Sequence, residues 1–189
     1  MVAFAVGAVI FFGMHAYSAL RTREPVRDIR KRWGEARYMG TYSVLSLAAF
    51  ALMLWGYGQW ASGTALWRAP HSLAHYTWVA MLPVFPLLVA AYAPAGYIRR
   101  AVQHPMMWAV LIWAIAHLLV GGDARRTALF GLFAAYAALS LFAGYRRGRV
   151  GIENPRILGD VVSVVAGLIL FGVFMHGGHA ALFGASPFG

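Results

Sequence analysis

Six stretches of this 189-residue chain contain no Lys, Arg, Asp or Glu: Met1–Leu20, Tyr38–Trp67, Ala69–Ile98, Ala101–Gly122, Thr127–Tyr145 and Val161–Gly189. A bilayer's hydrocarbon core is about 30 Å thick and takes roughly 20 helical residues to cross. Each stretch meets or approaches that length. None alternates with the period of two that marks a barrel strand. The fold class is therefore read as all-α: a polytopic membrane bundle of about six transmembrane helices, near residues 2–20, 41–61, 73–95, 105–121, 127–145 and 159–183. With 61% hydrophobic residues and nearly all the chain in spans, residues 1–189 are expected to form a single transmembrane domain with no separate soluble part.

The charges set the orientation. Gaps one, three and five between the stretches hold thirteen Lys and Arg, seven of them within Arg21–Arg37, whereas gaps two and four hold three. The positive-inside rule then puts both termini outside and the odd-numbered loops in the cytoplasm. It also accounts for the net charge of +10 without nucleic acid as a partner; the partner expected is the lipid bilayer. There is no cysteine, which excludes disulfides, thiolate nucleophiles and thiolate metal sites. The start of the chain shows neither a positive leader nor an Ala-x-Ala cleavage pattern, and reads as a retained first span.

Between the first two spans, Glu24 to Trp33 places a proline at a helix start and Val26, Ile29 and Trp33 at helical spacing. Two readings fit: a short helix lying in the headgroup layer with its basic face toward anionic lipid, or a solvated charge run that fixes topology. Pro83 and Pro86 should bend span three. The last span runs into a glycine-rich tail. No internal repeat and no paired broken helices of the transporter type are visible.

With no cysteine and few acids, chemistry within the membrane falls to histidine. His15 lies in span one beside Gly13, and His117 in span four after Trp113 and Ala114. Two histidines on separate helices, flanked by small residues, are one way to hold haem; hydrogen bonding between helices is the other reading. His71 with His75 (i, i+4) and His176 with His179 (i, i+3) have spacings that suit a metal, although neither pair has a carboxylate or thiolate nearby in sequence, and interfacial placement explains them equally. At 1.5 Å per residue, His15 lies roughly 8 Å and His117 about 18 Å from the cytoplasmic ends of their spans, a difference that tilt would have to absorb if both held one iron. Asp123, just before Ala124, is expected to cap span five.

The run Gly13-Met14-His15-Ala16-Tyr17-Ser18, then Gly34-Glu35-Ala36-Arg37-Tyr38 and Gly40-Thr41-Tyr42-Ser43, and above all His104-Pro105-Met106 with Trp113-Ala114-Ile115-Ala116-His117 and Gly122-Asp123, resembles the NnrU family from about residue 7 to 145. The resemblance implies a multi-span protein of the bacterial inner membrane associated with denitrification and nitric oxide metabolism. The zeta-carotene isomerases are similar to that family and bind haem b through one histidine in each of two matching motifs. Carried over, the iron ligands are His15 and His117, with isomerisation of a lipophilic substrate as a further implied activity. His75, His104 and Arg37 complete the candidate cofactor-binding set: Arg37 with Glu35 reads either as a surface turn or as the partner of a haem propionate, and His104 with Pro105 as the cap of span four, with His104 near a cofactor or lipid carboxylate. One departure bears on this: the isomerases carry a cysteine where this chain has Ala114.

Two other functions stay open on the residues. Arg100 to Met106 resembles the Arg-His-Pro motif of S-adenosylmethionine-dependent membrane methyltransferases, but the paired glutamates expected downstream are absent from Tyr145–Arg149. Small residues such as Ala48, Ala49, Ala51, Ala134, Ala135, Ala137 and Ala138 would also suit a non-catalytic accessory subunit packed against a membrane reductase partner.

Overall fold

The computed structural model describes residues 1–24, 27–68 and 70–187; the side chains of Arg68, His71, Ser72, Ala74 and His75 also lie outside the described part. Two units make up the chain: residues 1–64 with 123–125, and residues 65–122 with 126–189. The described residues are overwhelmingly helical. Four helices are long and apolar enough to cross a membrane: Val2–Leu20, Glu35–Gln59, Ala124–Arg146 and Ile157–Phe183, with mean hydropathies of 1.7, 1.4, 1.7 and 2.4. Shorter apolar helical stretches cover Tyr76–Ala90 and Pro105–Leu119. Large apolar side chains such as Val44, Leu47, Ile157 and Ile169 stand more than half exposed on these helices. Bare apolar faces on helices of this length belong in lipid, and the molecule is a helical membrane protein.

In the first unit, α1 (Val2–Leu20) packs along α3 (Glu35–Gln59). The contact is made by glycines facing backbone. A Cβ on Gly7 would collide with Met53 N and Ala49 O, and one on Gly56 with Phe4 N. Phe4, Ala8, Ala49 and Met53 fill the seam. With lipid outside, this close approach is what dispersion forces need to hold two helices together. Between them, α2 (Ile29–Trp33) begins at Asp28, whose carboxylate accepts from Arg30 N at 3.0 Å. The loop helix is thus shorter than the sequence implied, because an aspartate cap starts it; Pro25 and Val26, on which the earlier start rested, lie outside the described residues. Gly34, at φ +85°, turns the chain from α2 into α3.

In the second unit, a two-residue antiparallel ladder pairs β1 (Trp67–Arg68) with β2 (Gly121–Gly122). The third stretch is interrupted at the proline expected to bend it: α4 (His71–Met81) ends two residues before α5 (Val84–Ala90), while Leu82 and Pro83 keep right-handed helical dihedrals. After α6 (Tyr97–Val102) and α7 (Pro105–Leu119) come α8 (Ala124–Arg146) and α9 (Ile157–Val173). Gly159, Ser163 and Gly167 are the buried residues of α9, spaced four apart. Gly159 abuts Pro94 O and Gly167 abuts Pro86, so this stripe seats α9 against the broken helix. A π-helical turn, Phe174–Gly178, with Gly177 at φ +156°, leads into α10 (His179–Phe183).

Candidate functional site

His15 sits on α1 in the first unit, half-buried between aromatic rings. Its ring centroid lies 4.1 Å from that of Phe11 and 5.4 Å from that of Tyr42 on α3. Its Nδ1 lies 2.7 Å from Phe11 O. A carbonyl oxygen only accepts, so Nδ1 carries the proton and Nε2 carries the lone pair. Gly13, read as making room beside it, faces open space. Toward the charged end, Arg21 lies over Tyr38 with its guanidinium carbon 5.6 Å from the ring centroid and pairs with Asp28. Burial raises the Asp28 pKa, but hydrogen bonds from Arg21 and Arg30 N and the charges of Arg21 and Lys31 outweigh it, and the net shift is downward.

Arg37 lies in the first turn of α3. It lines an open concavity of about 570 Å³ with Arg32, Trp33, Ala36, Gly40 and Thr41. Glu35 opens α3 and pairs with Arg30.

His117 occupies the last turn of α7 in the second unit. Its Nδ1 donates to Trp113 O at 2.8 Å, which leaves Nε2 with the lone pair here as well. Phe130 stacks on it at 4.6 Å and 23°, and Trp113 tilts against it at 5.2 Å. Ala114, where the similar isomerases carry cysteine, is fully buried one turn earlier. The structure also brings His179 to this position, its ring centroid 6.4 Å from that of His117 and the planes 21° from parallel. The His179 Nδ1 donates to Ala185 O at 2.6 Å. His176, the residue that sequence spacing tied to His179, lies on the other side of the kink at Gly177 and donates to Gly172 O at 2.9 Å.

His104 lies at the other end of α7, thirteen residues and thus about 20 Å from His117 along the axis. These two candidates do not converge. Pro105 occupies the first turn of α7, but the His104 side chain makes no capping hydrogen bond. Its ring fills the space left by Gly144 and meets Tyr145 edge-on at 5.2 Å. Burial and then the Arg147 charge lower its pKa. Tyr145 accepts from Trp108 Nε1 and donates to Val102 O, both at 3.0 Å, closing that end of the second unit. His75 belongs to α4, and its side chain, like that of His71, lies outside the described residues. Asp123 precedes α8 and receives Arg125 Nε at 3.3 Å, while the Arg125 Nη1 donates to Trp60 O at 3.0 Å. No group of three or more His, Asp or Glu able to hold a metal ion occurs among the described residues.

One residue that sequence reasoning passed over organises the second unit. The Asp160 carboxylate on α9 accepts from Tyr97 N and Ile98 N, both at 2.9 Å, and so caps α6 from a distant segment.

The family model described as NnrU protein matches residues 3–187. No curated protein and no solved structure gives a significant match.

Proposed function

The chain belongs to the NnrU family, and from that premise we propose that it is a multi-pass protein of the bacterial inner membrane that binds haem b between its helices through His15 and His117. The observation that carries the reading is the tautomer of these histidines. Each commits Nδ1–H to a backbone carbonyl one turn earlier, at 2.7 and 2.8 Å, and each keeps the Nε2 lone pair that a metal ligand needs. The second shell that orients a ligating imidazole is therefore already supplied by the helix. Aromatic rings around both, Phe11 and Tyr42 at one and Trp113 and Phe130 at the other, suit the apolar body of a macrocycle. The chemistry haem supplies at such a site is ligand binding and one-electron exchange at iron, which fits a role in denitrification and nitric oxide metabolism or in isomerising a lipophilic substrate.

The same reading includes six spans in one membrane domain with both termini outside, supported by the thirteen-to-three division of Lys and Arg between alternate loops. Pro83 divides span three, and Pro105–Leu119 would cross as a short helix.

A second assignment of the ligands is favoured by one observation. Two imidazoles that share one metal ion must come from side chains whose rings lie within a few ångströms of each other. His117 and His179 stand at 6.4 Å. In this version His179 replaces His15.

Haem content measured as the pyridine haemochrome of detergent-purified protein tests the proposal. Bound haem in the unaltered chain, and its loss in His117→Ala, is expected. Haem-free protein, even when haem is supplied during expression, overturns it.

A further inference from the structure

The segment Arg21–Arg37, the loop after α1 and the first turn of α3, carries seven cations and three acids, and the acids are all spent. Glu24 pairs with Arg27, Asp28 with Arg21 and Glu35 with Arg30. Arg32 and Arg37 have no acidic partner among the described residues, yet both line one concavity of about 570 Å³. Thr41 adds a hydroxyl there, and Gly40 leaves the floor open, with no atom within 4 Å of where a Cβ would stand. Two guanidinium groups and a hydroxyl around open space are a complement for a phosphate ester.

What lies next to this concavity identifies the rest of the ligand. Trp33 and Thr41 also line a second cleft of about 120 Å³, whose other walls include Met14, Tyr17 and Leu45. That cleft is almost wholly apolar. Its volume is well below the roughly 300 Å³ at which pockets for compact ligands begin, so it takes a slender chain and not a planar macrocycle. Along the same helix, Val44 and Leu47 continue the apolar surface, 68% and 69% exposed. The arginine-lined concavity shares Trp33 and Thr41 with the apolar cleft, at the junction where a charged loop meets a membrane helix. Trp33, 55% exposed, has the amphipathic ring favoured at that depth.

We propose that Arg32, Arg37 and Thr41 seat the phosphate of an anionic phospholipid, with the start of an acyl chain in the cleft behind Trp33 and Thr41. The bound lipid would lock α2 onto α3 at the end of the α1–α3 pair nearest His15.

The test is titration of the full detergent-purified chain with phosphatidylglycerol, phosphatidylcholine and inorganic phosphate, followed by native mass spectrometry and melting temperature. Arg32→Gln/Arg37→Gln is compared with Arg23→Gln/Lys31→Gln, which removes the same charge elsewhere in the loop. Phosphatidylglycerol is expected to bind the unaltered chain, and the first pair to weaken it by about tenfold or more, the scale of two lost charge-assisted contacts, while the control pair changes it by less than about twofold. Equal losses in both pairs would reduce the effect to surface charge and overturn the site. So would binding of phosphatidylcholine with the same affinity, or a melting-temperature rise with inorganic phosphate equal to that with lipid. Haem content in Arg32→Gln alone separates this proposal from the haem reading. Unchanged haem with weakened phosphatidylglycerol binding is expected, and unchanged lipid binding in that variant would overturn the lipid site whatever the haem content.

Discussion

The imidazoles of His117 and His179 lie with ring centroids 6.4 Å apart and planes 21° from parallel, each with Nδ1 donating to a backbone carbonyl. Between α9 and α10 the chain is kinked at Gly177, φ +156°, two residues before His179. If haem is held by His15 and His117, the oxidised protein should be low-spin by electron paramagnetic resonance, His15→Ala should convert it to high-spin, and His179→Ala should leave it unchanged. The reverse pattern for His15 and His179 would assign the pair that stands together in the second unit.

The α1–α3 seam should fail at its glycines. A Cβ at Gly56 collides with the Phe4 backbone, so Gly56→Ala should destabilise by about 1–3 kcal/mol, the usual cost of overpacking. Gly13→Ala meets open space and should be neutral or slightly stabilising through helix propensity. Thermal melts in detergent check both. A Gly56→Ala protein that melts with the unaltered chain would contradict the packing described.

Asp160 should matter more than its place on an apolar helix implies. Asp160→Ala leaves Tyr97 N and Ile98 N without their acceptor, at a cost of about 0.5–2 kcal/mol, the range for a lost helix cap. Asp160→Asn, which keeps one carbonyl oxygen, should recover part of it. Amide exchange over Tyr97–Val102 reports the loss locally.

How far the sequence could be read depends on the range of the interaction. The charge-free stretches located α1, α3, α7, α8 and the α9 segment, since the exclusion of charge from a lipid-facing helix is a local rule. Pro83 marked the break between α4 and α5, also locally. The alanines singled out for close packing divide: Ala49 and Ala137 are buried, whereas Ala48, Ala51, Ala135 and Ala138 are exposed. The tightest contacts fall on Gly7, Gly56, Gly159 and Gly167, whose partners are backbone atoms on other helices and leave no local pattern. Asp160 reaching α6 and His179 reaching His117 are likewise pairings that only the fold creates.

His104 should make stability depend on pH near the end of the second unit. Its pKa in the folded chain lies below the ordinary histidine value of about 6.5, so the unfolded chain binds more protons in the window beneath that value. Stability is then fully present above it and is lost as pH falls toward the lowered folded pKa. His104→Gln should flatten this part of the pH profile. Thermal melts between pH 5 and 7, run beside the unaltered chain, measure the slope, and an identical slope in the variant would contradict the assignment.

The central claim is a haem iron ligated by histidine, and the absorbance spectrum of the purified protein, oxidised and reduced, tests it most directly. Beside it stand His15→Ala, His117→Ala and, as a control about 20 Å from His117 along α7, His104→Ala. The account predicts a Soret band that persists in His104→Ala, shifts or weakens in His15→Ala and disappears in His117→Ala. No Soret band in the unaltered protein, or an unchanged band in His117→Ala, would contradict it.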